Sequence, residues 1–168
     1  MAKAISQKLV KHMKSYKNIN DPQRSFVTAY VEKHIQKSQF FYEINQIIDW
    51  KPIDDDLKKV YKKGLKERGA KAYSPLLLFK MQLISIWYDL SDTQTEAMVN
   101  DSLSTIKFCD LTIEDDIPGH STLSRFRKEL IEKNAYDRLL DLVNQQLSKQ
   151  NLQVKKGKAK VDARLTTL

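Results

Sequence analysis

The stretch PLLLFKMQLISIWYDL, residues 75–90, is apolar at nearly every position, and how it is read decides the fold. Pro75 suits a first helical position, where a missing amide hydrogen breaks no intrahelical bond. A helix that is apolar on all sides needs burial on all sides. A membrane span would take about 20 uninterrupted apolar residues, whereas this run is shorter and contains Lys80 and Gln82. It is therefore expected to be the central helix of a soluble bundle.

Downstream, Ser91 opens the sequence SDTQ, a capping box in which Gln94 returns a bond to the Ser91 amide, and the helix should run to about Asn100. A short helix over residues 102–108 follows. The pair has the length and spacing of a helix-turn-helix, a weak signal alone because short helix pairs are common in proteins that never touch DNA. The acidic loop DLTIEDD, residues 110–116, reads as solvation and helix-start electrostatics rather than a metal site. It leads to PGHSTLSRFRKEL, residues 118–130. Pro118 and Gly119 break the chain, and Ser121 or Thr122 can cap the next helix. Leu123, Phe126 and Leu130 then face inward, Ser124, Arg125 and Lys128 outward, and Arg127 the boundary, with Glu129 partly offsetting the charge. Either the upstream pair reads DNA and this helix braces it, or this helix reads alone. A last stripe, Tyr136, Leu139, Leu140, Val143 and Leu147, closes the bundle.

Upstream, residues 38–50 place Phe40, Phe41, Ile44, Ile47 and Ile48 on a broad apolar face. Lys51 and Pro52 are expected to end that helix, leaving Asp54, Asp55 and Asp56 at the positive start of the next. The first 36 residues read as basic amphipathic helices, with Ile5, Leu9, Met13 and Tyr16 on one stripe. His12 and His34 have no partners at metal spacing.

The 168 residues carry 29 Lys and Arg against 21 Asp and Glu, a net charge of +8, with a pI near 9.4. Such a balance favours an acidic partner such as nucleic acid. One cysteine, Cys109, excludes an internal disulfide and a cysteine-rich zinc site, and fits a reducing cytoplasm. No signal peptide or membrane span is read, so no membrane partner is expected. Four glycines and four prolines, together with apolar positions three and four apart, give a mainly α fold, a helical bundle with helix-turn-helix-like elements. After residue 150 the composition shifts to VKKGKAKVDARLTTL, where Val161, Asp162 and Ala163 alternate like a strand.

In order, AYSPLLLFKMQLISIWYDLSDTQTEAMVNDSL (72–103), IPGHSTLSRFRKEL (117–130) and KKGKAKVDA (155–163) resemble bacterial insertion-sequence transposases of the DDE class, in the group named after insertion sequence five. The resemblance implies a helical DNA-binding part over residues 37–150 and, from 151 to 168, the first β-strand of an incomplete RNase H-like domain. It gives Asp162 the place of the first catalytic carboxylate, a ligand for Mg²⁺ in a complete enzyme. Ala163-Arg164 departs from the family's Ala-Thr. With the later aspartate and glutamate not in the chain, it is expected to be a fragment that is inactive and cofactor-free alone. It would act as the first half of a frameshifted transposase, or as a repressor of its own element. Its expected partner is double-stranded DNA at terminal inverted repeats, alongside self-association or a downstream transposase fragment. Ser124, Arg125, Arg127 and Lys128, with Lys155, Lys156 and Lys158 on the backbone, are the expected DNA contacts.

Overall fold

The computed structural model describes residues 39–63 and 72–149. Seven α-helices run through the described residues: α1 (Gln39–Ile47), α2 (Trp50–Val60), α3 (Pro75–Tyr88), α4 (Asp92–Asp101), α5 (Leu103–Phe108), α6 (His120–Glu132) and α7 (Tyr136–Ser148). The chain is mainly α, as its periodicity predicts. The expected N-terminal helices of residues 1–36 and the strand of residues 151–168 lie outside the described residues, and so do Lys155, Lys156, Lys158 and Asp162.

Helix α3 is the centre of the bundle and packs against α2, α4 and α6. Pro75 stands at its start, and Leu78, Phe79, Met81, Leu83 and Ile84 are all completely buried. Each such side chain contributes about 1.5–3 kcal/mol relative to exposure, which is why an all-round apolar helix settles in the middle. It stops at Asp89, whose left-handed backbone (φ 53°) lets the Leu90 amide donate back to the Ser85 carbonyl at 2.9 Å.

Around it the local chemistry sets each boundary. The capping box at Ser91 is present: Gln94 N–H donates to Ser91 Oγ at 3.2 Å and Ser91 N–H to Gln94 Oε1 at 2.9 Å. Ser102 ends α4 and caps α5. In α5, Thr105, Ile106 and Phe108 are buried, and this helix packs on α1 and α4. Helix α7 buries Leu139, Leu140, Val143 and Leu147 and packs on α2 and α6.

Two boundaries differ from expectation. The break between the first two helices falls at Ile48 and Asp49, not at Lys51 and Pro52, because Asp49 Oδ1 accepts from the Lys51 amide at 3.0 Å and caps α2. Pro52 then sits in the first turn, where no intrahelical amide bond is lost. The acidic run consequently lies inside α2 and pairs sideways, Asp54 with Lys58 and Asp56 with Arg138 at 2.9 Å. The second difference is the start of α6, which has no Ser or Thr cap: Gly119 is the N-cap and its helix begins at His120.

Candidate nucleic-acid interface

Helix α6 is built as the sequence implies, with Leu123 and Leu130 fully buried and Phe126 1% exposed. At about 100° per residue, Ser124, Lys128 and Arg125 follow one another around the opposite side, and all three are exposed. Arg125 Nε donates to the Ser121 carbonyl one turn back at 3.0 Å, and Lys128 lies 3.8 Å from Glu132. Both contacts are within the helix and at its surface, where ion pairs are weak.

Arg127, by contrast, is turned inward. Its Nε donates to Gln82 Oε1 at 2.8 Å and its Nη2 to the Asp92 carboxylate. Gln82 Nε2 in turn reaches the Leu123 carbonyl at 3.4 Å. One polar chain therefore links α3, α4 and α6. Arg127 serves to orient α6 within that chain, and its guanidinium is engaged with protein acceptors.

The N-terminus of α6 is held by Glu96 of α4. Glu96 Oε2 accepts from the His120 amide at 2.6 Å and from His120 Nδ1 at 2.7 Å. An ionised carboxylate only accepts, so Nδ1 carries the hydrogen. The backbone amide bond, followed by the side-chain bond from His120, holds the Glu96 carboxyl below its usual range. A carboxylate at this position also faces the positive end of the helix. Nothing local in the sequence announces this cap, since Glu96 is far from His120 along the chain; that α4 packs on α6 brings them together.

At the other end, Glu129 accepts from Lys133 at 2.7 Å and pairs with Lys63 at 3.2 Å. Burial of Glu129 works to raise its pKa, but the bonds and charges of Lys133 and Lys63 outweigh it and hold the carboxyl low. Lys133 Nζ also donates to the Val60 carbonyl at 2.6 Å, closing the C-terminal end of α2.

Among the described residues, no group of three or more His, Cys, Asp or Glu is placed to hold a metal ion. In the loop before α6, Asp110 pairs with Lys80 at 2.8 Å and Asp115 Oδ2 accepts from the Thr112 amide at 2.7 Å, so these carboxylates brace the loop. No described helix is long and apolar enough to cross a membrane. Residues 109–119 separate α5 from α6, longer than the about 3–4-residue turn of a tight helix-turn-helix. Helix α6 packs on α4 instead, and α5 buries Thr105, Ile106 and Phe108 while Leu103 and Lys107 are exposed.

Residues 29–129 match the family described as Transposase domain (DUF772). No solved structure matches the chain.

Proposed function

We propose, for a chain that belongs to this transposase-domain family, that it binds double-stranded DNA at the terminal inverted repeats of an insertion sequence, with α6 as the helix that faces the duplex. The observation that supports this most is the division of labour on α6: Arg127 and His120 are tied to neighbouring helices and Glu129 to Lys63 and Lys133, while Ser124, Arg125 and Lys128 stand exposed on one side. A rigidly docked helix with an exposed basic face is suited to phosphate contacts from Arg125 and Lys128, with base-edge contacts from the same helix supplying specificity. The two exposed cations that α6 carries on one side, Arg125 and Lys128, against Lys107 alone on α5, favour α6 over the upstream pair as the reader. Lys155, Lys156 and Lys158 would add backbone contacts.

The DDE class and the insertion-sequence-five group are part of the same proposal, and rest on the motif order 72–103, 117–130 and 155–163. Membership of a transposase family is compatible with metal dependence. Asp162, the carboxylate that the resemblance offers to Mg²⁺, lies outside the described residues. DNA as partner implies a cytoplasmic site of action.

The test is binding to inverted-repeat duplexes from the element's own ends, against a random-sequence duplex at equal salt. Joint substitution Arg125→Ala and Lys128→Ala should weaken binding to the repeat; unchanged affinity would remove α6 from the interface.

A further inference from the structure

The exposed face of α6 has two unlike flanks. On the side of Arg127 stand Asp92 and Gln82, so that flank turns toward an acidic neighbour. On the side of Glu129 stands the end of α2. There the Tyr61 ring meets Phe126 edge-on at 5.4 Å with 3% of Tyr61 exposed, which pins the residues after α2 against α6. Lys62 and Lys63 follow directly and are exposed.

Around α6, at about 100° per residue, Arg125 lies between Lys128 and Glu129. Glu132, paired with Lys128 at 3.8 Å, also lies on this face, and past Arg125 the face leads toward α2. Glu129 then gathers two ammonium groups, Lys63 at 3.2 Å and Lys133 at 2.7 Å. One carboxylate set between two lysines leaves an excess of positive charge, which exposed Lys62 increases. Lys133 is engaged a second time, by the Val60 carbonyl at 2.6 Å, which leaves Lys62 and Lys63 as the outward lysines.

We infer that the end of α2 is a second DNA-backbone site, in which Lys62 and Lys63 extend the face of Arg125 and Lys128 and grip phosphodiester groups beside the groove that α6 enters. This rests on the reading of α6 as the DNA-facing helix. The ligand is the phosphate backbone, so the site is sequence-independent. Exposed Lys63 can turn from Glu129 to a phosphate at little cost, because surface pairs of this kind are weak. Glu129 keeps the Lys63 ammonium placed until the duplex arrives.

The experiment uses the 168-residue chain and a labelled random-sequence duplex, titrated over a range of salt. Each phosphate contact contributes about 0.9 to the slope of log K against log salt. Lys62→Gln with Lys63→Gln should therefore lower the slope by up to about 1.8, and Arg125→Gln with Lys128→Gln should do likewise, the two reductions adding. Unaltered thermal unfolding of the variants shows that the bundle is intact. A wild-type slope in the α2 pair, with a reduced one in the α6 pair, overturns this inference and leaves α6 as the reader. A reduction confined to the α2 pair sinks the α6 reading and the continuous surface with it. Wild-type slopes in both overturn both.

Discussion

Lys80 Nζ, on a side chain only 1% exposed, donates to Asp110 Oδ2 at 2.8 Å. The same ammonium donates to the Phe108 carbonyl at 2.9 Å and to Asn45 Oδ1 at 3.3 Å, and lies 4.5 Å from the centre of the Trp50 ring. A buried charge is tolerated only when its donors are satisfied, and here acceptors from three segments converge on one lysine of the central helix. The charge that would disqualify α3 as a membrane span is the tie that fastens α1 and the loop after α5 to it.

The two partners should behave unequally. Lys80→Ala removes a buried stem and orphans the Phe108 carbonyl, and is expected to cost about 2–4 kcal/mol. Asp110→Asn keeps a residue that tolerates the positive φ of 57° there. Asp110 is 67% exposed, so solvent screening reduces its charge contribution and the loss should stay below about 1 kcal/mol. Urea unfolding of both variants checks the ordering, and equal losses would show that the ion pair, not the buried stem and carbonyl, dominates.

The capping box gives a cleaner local test. Ser91→Ala leaves the Gln94 amide without its acceptor, and should lower stability by about 1 kcal/mol. Gln94→Ala removes the return bond to the exposed Ser91 amide and should cost less, since water can replace it. The measurement is the urea midpoint of each variant at constant m.

Features set by neighbours in sequence were legible in it. Pro75 at a helix start, the Ser91 box, and the inward triad of Leu123, Phe126 and Leu130 follow from spacings of three and four and from local capping chemistry. What could not be read was set by packing between distant segments. Glu96, not Ser121 or Thr122, caps α6 because α4 lies against it. Asp54 and Asp56 pair sideways because Asp49 had already taken the cap of α2. For the candidate interface, the spacing put Ser124, Arg125 and Lys128 outward and Arg127 at the boundary, but the acceptors that engage Arg127 come from α3 and α4 and leave no local trace.

Acid should loosen the two ends of α6. Glu96 and Glu129 both have folded-state pKa values below their ordinary 4.5. The unfolded chain therefore binds more protons than the folded one as pH falls through that value. Their contribution is complete above about pH 4.5 and is lost as pH drops through the lowered folded values. Glu96→Gln retains an acceptor for His120 but cannot ionise, so its stability should decline less steeply over this acidic window than that of the wild type. Parallel curves in urea titrations at successive pH values would mean that Glu96 is not held low by His120.

Arg125 and Arg127 are two residues apart on the same helix, and should fail in different ways. Arg125 is exposed, bonded only to a carbonyl of its own helix among the contacts described, whereas Arg127 is committed to Gln82 and Asp92. If Arg125 contacts phosphate, Arg125→Ala should reduce the salt slope of DNA binding by about 0.9 with little change in stability. Arg127→Ala should leave the slope as in the wild type. Its effect should be on stability and on discrimination between inverted-repeat and random duplexes, because α6 loses one of its ties to α3 and α4. A double-mutant cycle with Asp92→Asn should return a coupling of about 0.5–1 kcal/mol, modest because Arg127 is 33% exposed. A reduced slope for Arg127→Ala would instead mean that the guanidinium leaves Asp92 for a phosphate when DNA binds, and would make it a contact residue after all.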